Sequence, residues 1–157
     1  MLALGLDPGI ERTGWGLVES KTGRLRPVAW GLITTPSTDT TARRLVSLRR
    51  DVQALLDKGR PDVAIVEKLF FKKNVTSAIN VAHARGVVLL TLEEYKIRCV
   101  EVTPPEVKVA VTGNGAAPKP QVIAMVKRLL ALTDRLGPDD VADALAISLC
   151  GLLREGA

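Results

Sequence analysis

Apolar positions fall into short blocks separated by turn-forming residues, and the period of each block predicts an element. Leu2 to Leu6 is an apolar run stopped by Asp7-Pro8-Gly9, which reads as a buried strand and a turn. Thr13 to Glu19 and Leu25 to Thr34 are extended in character, so three short strands with tight connections form an antiparallel meander. Asp39 or Thr40 can cap a helix that runs through Leu45, Leu48, Val52, Leu55 and Leu56 to a stop at Lys58-Gly59. Asp62 to Val66 is a nearly continuous apolar, β-branched run ending at Glu67, the pattern of a strand covered on both faces.

Thr76 to Leu92 predicts a helix that is apolar around most of its circumference, and such a helix is buried by its own chain or by a partner. The lone His83 lies inside it and reads as a buried structural histidine. Ile97 to Val102 is a fifth strand, Pro104-Pro105 opens a short helix through Val109, and Gly113-Asn114-Gly115 is a loop. Helices from Pro120 to Leu132 and from Pro138 to Leu153 close the chain. The order β-β-β-α-β-α-β followed by helices predicts an α/β fold, with a five-stranded mixed sheet and helices on both faces.

A chain of 157 residues with 46% hydrophobic residues, 25% charged residues and a mean hydropathy of +0.17 fits one globular domain spanning residues 1–157. These values exclude a disordered chain and a small disulfide scaffold. Cys99 and Cys150 are the only cysteines, so a disulfide framework or thiolate zinc site is not expected and a reducing compartment is. No run approaches a membrane span of roughly 18 apolar residues, and the N-terminal run meets Asp7 too early for a secretory signal. A cytoplasmic protein is expected. The net charge is +5, and the whole excess of Lys and Arg over Asp and Glu lies in residues 1–78. That asymmetry fits an acidic partner such as nucleic acid, although a charge of this size is also ordinary for a soluble domain.

Neither a G-x-x-x-x-G-K-[ST] loop nor a G-x-G-x-x-G turn opening a helix is present. Carboxylates in apolar surroundings stand out instead. Asp7 and Glu67 end two predicted strands, and Asp140 and Asp143 sit at i,i+3 spacing in Asp-Val-Ala-Asp-Ala-Leu-Ala-Ile, on one face of the last helix. An ionised carboxylate taken out of water costs several kcal/mol unless it is paired or metal-bound. Each acid also has an ordinary explanation: Asp-Pro-Gly is a common turn, acids favour helix N-termini, and Glu67 can pair with Lys68 or Lys72. Taken together, four hard oxygen donors suit Mg²⁺ or Mn²⁺ and argue against zinc. Two such ions about 3.5–4 Å apart can activate water and stabilise the leaving oxygen in phosphodiester hydrolysis. After Glu67, the run Lys68-Leu69-Phe70-Phe71-Lys72-Lys73-Asn74 interleaves both phenylalanines with cations, a composition suited to phosphates and bases, although either ring can equally belong to the core. Lys108 and Lys119 are further candidate phosphate contacts.

Several motifs then coincide in order along the chain: Asp7-Pro8-Gly9 with Thr13-Gly14-Trp15-Gly16, Glu67 with Phe70 and Lys73-Asn74, Ala84-Arg85-Gly86, Val107-Lys108, Lys119 with Gln121-Val122, and Asp140-Val141-Ala142-Asp143-Ala144-Leu145-Ala146. Together they resemble the RuvC family of bacterial Holliday junction resolvases. The resemblance implies an RNase H-like fold and a homodimer that makes paired symmetric nicks in four-way junction DNA during recombination and repair. It also implies two Mg²⁺ ions (or Mn²⁺) per active site, held by Asp7, Glu67, Asp140 and Asp143 as metal-binding catalytic residues. It implies base stacking for Phe70 and phosphate contacts for Lys108 and Lys119, beside which the basic loop offers Lys72, Lys73 and Asn74 as candidate DNA contacts, and it implies work alongside a branch-migration motor of RuvA and RuvB. Burial of the 76–92 helix in a dimer interface would explain its composition. Two other classes compete with this reading: a non-catalytic junction-binding module of the same fold, disfavoured by the presence of all four acids, and an actin-like phosphotransferase, for which 157 residues lack a second nucleotide-binding half.

Overall fold

A computed structural model of the chain describes residues 1–69, 75–133 and 136–155, with the backbone alone for 75–77 and 155. Its elements run β1 (Leu2–Asp7), β2 (Arg12–Lys21), β3 (Arg24–Thr34), α1 (Thr41–Gly59), β4 (Val63–Glu67), α2 (Val75–Glu94), β5 (Arg98–Val102), α3 (Pro104–Thr112), α4 (Lys119–Leu129) and α5 (Asp139–Glu155). The five strands form one sheet in the order β3-β2-β1-β4-β5. The meander β1–β2–β3 is antiparallel, and β4 and β5 add in parallel to the other edge of β1. The predicted mixed sheet is therefore found, with all ten elements in the expected order.

Alternation along the strands divides the interior into two cores. Ala3, Val63, Ile65 and Val102 face α3, α4 and α5, whereas Leu4, Leu6, Ala64 and Val66 face α1 and α2. Because β1 and β4 are covered on both sides, each is apolar along its length, and each turns polar only at its carboxyl end, at Asp7 and Glu67. The two acids are thus carried to the same edge of the sheet by parallel strands in register, with Leu6 opposite Val66.

Helix α5 lies across β1, β2 and β4 at unusually short range. A Cβ at Gly5 would come within 2.2 Å of the Ala144 carbonyl oxygen, and one at Gly14 within 2.0 Å of that of Asp140. A Cβ at Gly16 or Gly151 would face side chains instead, at 2.8 Å from Leu145 and 2.3 Å from Ile65. Buried Ser148 locks this contact: its hydroxyl accepts from the Gly5 N–H at 2.8 Å and donates to the Gly16 carbonyl at 2.7 Å. Glycines inside strands mark such close backbone approach.

Local rules account for most element ends. Thr40 is the N-cap of α1, and Thr103 with Glu106 makes a reciprocal capping box on α3. Several boundaries differ from expectation, those of α1, α3 and α4 among them. Helix α1 closes through Arg60 in the left-handed region (φ 44°) rather than through Gly59. Helix α3 continues to Thr112 before the left-handed Gly113 stops it. Helix α4 begins at Lys119 itself and ends at Leu129, so Lys119 belongs to a helix rather than a loop. His83, expected to be buried, is exposed: the stripe of α2 that enters the core is Ala84, Val88, Thr91 and Leu92, and His83 points the other way. No described helix is long and apolar enough to cross a membrane. Gly5→Ala is expected to destabilise the protein by about 1–3 kcal/mol or more in urea unfolding, because neither backbone can yield to the new methyl; unchanged stability would contradict this packing.

Candidate active site

The carboxyl ends of β1 and β4 open into a cavity of about 640 Å³. Asp7 and Glu67 line its floor, Asp143 of α5 lines one side with Ala146 and Ile147, and Ala78 and Val81 of α2 line another. Lys108 of α3 and Lys119 of α4 line it as well, with Pro104 and Val107. Five of the residues singled out in the sequence are therefore placed in one concavity or on its wall: Asp7, Glu67, Asp143, Lys108 and Lys119. Asp140 sits outside the lining, one helical turn before Asp143, yet close enough to act on Asp7 electrostatically. Phe70, Lys72, Lys73 and Asn74 lie outside the described residues, as does Phe71.

Charge crowding dominates the electrostatics. The Asp7 carboxyl is pushed up to about 7, first by burial and then by the negative charges of Glu67, Asp143 and Asp140, with Lys119 partly offsetting them. Cations hold the two helix acids. Lys119 Nζ donates to Asp143 Oδ2 at 2.8 Å and approaches Asp139 Oδ2 at 3.4 Å. Burial works to lower the Lys119 ammonium, but its hydrogen bonds and charge contacts with Asp143 and Asp139 outweigh that and raise it. Arg12, at the start of β2, places Nε 3.4 Å from Asp140 Oδ2. That oxygen is buried and has no hydrogen bond among the described residues. The neighbouring Asp139 is 69% exposed, against 24% for Asp140, and Asp140 is among the charges that raise Asp7, so of the two adjacent acids Asp140 is the one turned toward the cluster.

Among the described residues no three carboxylates are gathered tightly enough to ligate one ion. The physical reason is visible in the pairs just named. Four acids without a compensating cation repel one another, and Asp143 and Asp140 turn to Lys119 and Arg12. The donor set nevertheless fits a hard divalent cation: every donor is a carboxylate oxygen, one is buried without a hydrogen bond, and a positive charge would relieve the repulsion that raises Asp7.

Sequence reasoning passed over Arg12 and Ser148, and gave Arg85 a place in a motif without a role. Arg85 of α2 is largely buried; its Nε donates to the Glu67 carbonyl at 3.1 Å and its guanidinium pairs with Glu101 of β5. The available signals were Gly14 and Gly16 inside a strand, which mark a close packing partner, and a cation within an otherwise apolar helix.

An acid at each of two adjacent parallel strand ends, with a helix bearing acids across them, defines an RNase H-like α/β protein. The profile of the family "Crossover junction endodeoxyribonuclease RuvC" matches residues 3–151. A protein of that name from Halothermothrix orenii is 47% identical over 150 residues, covering 96% of this chain and 91% of the relative. One from Syntrophomonas wolfei is 44% identical over 152 residues, covering 97% and 88%. Among solved structures, Thermus thermophilus RuvC in complex with a Holliday junction substrate superposes with a TM-score of 0.93 at 31% identity, over 99% of this chain and 94% of that one. The yeast mitochondrial Holliday junction resolvase Ydc2 shares the fold, with a TM-score of 0.74 at 13% identity. The chain belongs to the RuvC family of crossover junction endodeoxyribonucleases.

The Asp7 shift has a measurable consequence in metal-free protein. Between the unfolded value of 3.8 and the folded value of about 7, the folded state keeps a proton that the unfolded chain has lost. Asp7 therefore costs nothing near pH 4, costs progressively more as pH rises, and its penalty is complete above about pH 7. Asp7→Asn is expected to be more stable than the parent at pH 8 in EDTA, on the order of a few kcal/mol. The advantage should vanish near pH 4; equal stabilities at pH 8 would contradict the crowding.

Proposed function

We propose that Asp7, Glu67, Asp140 and Asp143 together hold divalent metal and form the hydrolytic centre with which this chain cuts four-way junction DNA. The observation that carries the reading is the convergence of strand-end and helix acids on one cavity, with an Asp7 carboxyl held far above its ordinary range by its neighbours. Mg²⁺ or Mn²⁺, two ions per site, would supply an activated water and charge stabilisation for phosphodiester displacement. The chain's own residues supply the rest. Asp7, Glu67 and Asp143 offer oxygen donors to the cavity from β1, β4 and α5, and Asp140 adds a buried one from the adjacent helical turn. Lys119 and Lys108, on the neighbouring helices α4 and α3, meet phosphates beside the scissile bond and keep the backbone over the acids. Apolar Val107, Ala146 and Ile147 limit the water around the acids. On the family's likeness, Phe70, Lys72, Lys73 and Asn74 engage bases and phosphates at the junction centre.

A second copy of the chain completes the reading. Helix α2 presents Ile79 (50% exposed), His83, Gly86 and Leu90 (55% exposed) as one stripe, and nothing lies within 4 Å of a Cβ placed at Gly86. That stripe is the face we assign to a homodimer, whose two-fold axis matches a two-fold junction. The dimer works in the cytoplasm with a branch-migration motor of the RuvA and RuvB kind.

Asp7→Asn is expected to lower cleavage of a synthetic four-way junction by roughly 100-fold or more while junction affinity holds. Undiminished cleavage would contradict the assignment. Leu90→Asp is expected to sediment as a monomer at concentrations where the parent is a dimer; an undisturbed dimer would move the interface elsewhere.

A further inference from the structure

The geometry points to Arg85 as a positioning residue that holds Glu67 in place for metal, acting through the Glu67 backbone and not by touching metal or DNA. The inference rests on Glu67 being a metal donor, as proposed above.

Glu67 is the last residue of β4, so the chain beyond it is no longer held by the full ladder that fixes Val63 to Val66. Two bonds take over. The Lys68 N–H donates to the Val102 carbonyl at 2.7 Å, and Arg85 Nε donates to the carbonyl of Glu67 itself at 3.1 Å. The same guanidinium is paired with Glu101, the neighbour of Val102 on β5. One planar group thus ties α2 to the ends of both β4 and β5, and at 18% side-chain exposure it works where water competes little. A backbone carbonyl and a carboxylate at different angles suit the guanidinium fork, which a lysine ammonium does not reproduce.

Arg85 also stands on the face of α2 that walls the cavity. Ala78, Val81 and Arg85 follow at i, i+3 and i+7, so the stripe that closes one side of the cavity ends in the latch on Glu67. Groups that orient a metal donor from outside its coordination shell commonly change metal affinity by about 10–100-fold when removed. A residue that merely stabilises the fold would lower the melting temperature and leave that affinity alone.

The test is Mn²⁺ binding to the intact protein without DNA, read by electron paramagnetic resonance, alongside single-turnover junction cleavage and junction affinity. The parent is expected to bind Mn²⁺ and Glu67→Gln to bind it more weakly; failure of either overturns the metal-site reading and, with it, the role of Arg85. Given both, Arg85→Gln is expected to bind Mn²⁺ about tenfold more weakly and to cleave more slowly at unchanged junction affinity, with Arg85→Lys recovering only part of the loss. Parent-like Mn²⁺ affinity in folded Arg85→Gln overturns the inference. If Arg85→Gln does not fold, Glu101→Gln, which removes one of the two anchors, is expected to weaken Mn²⁺ binding by a few-fold, and parent-like binding there overturns it.

Discussion

The site depends on how closely α5 lies on the sheet. Asp7 and Glu67 are delivered by β1 and β4 whatever the helix does, but Asp140 and Asp143 reach them only because the helix backbone descends to contact distance on β1 and β2. Glycine at positions 5 and 14 makes that descent possible, since even a methyl group there would overlap the carbonyl oxygens of Ala144 and Asp140. Ser148 converts proximity into registry by bridging Gly5 and Gly16 with one buried hydroxyl. A helix seated one side chain higher would carry its acids away from the strand ends and dissolve the cluster.

Close seating has an electrostatic consequence. Bringing acids together in a partly buried cavity costs free energy that the fold must offset through packing elsewhere, here through two continuous cores on either side of the sheet. Part of the cost is relieved locally. Lys119 and Arg12 neutralise the helix acids in the metal-free protein, and Asp7 retains a proton near neutral pH. On the proposed reading, metal and phosphate would rearrange the same charges: a cation would take the carboxylates, and Lys119, freed from Asp143, would remain at the cavity to meet a phosphate. The crowding that destabilises the empty site would, on that reading, favour the loaded one.

Much of this was legible along the chain because the responsible signals are local. Two apolar runs each ended in an acid, the period of Asp140 and Asp143 set them on one helix face, and Pro104-Pro105 opened α3. What escaped lies between distant segments. Arg12 meets Asp140, Ser148 meets Gly5 and Gly16, and Arg85 meets Glu67 and Glu101, and no periodicity within one segment encodes such partners. His83 was misread for a related reason. An evenly apolar helix does not say which of its faces enters the core, and α2 buries Ala84 and Val88 while turning His83 and Leu90 outward. The start of α4 was missed because Pro120 reads as a helix opener, whereas the helix starts one residue earlier, at Lys119.

The central claim is that four acids from β1, β4 and α5 form one cation site. Anomalous diffraction from crystals soaked in Mn²⁺ tests it without reference to activity. The account predicts a manganese peak within the cavity, about 2.0–2.2 Å from carboxylate oxygens of Asp7 and of at least one α5 acid, with Lys119 displaced from Asp143. Saturating Mn²⁺ that leaves the Lys119–Asp143 pair intact and no peak among these acids would contradict it.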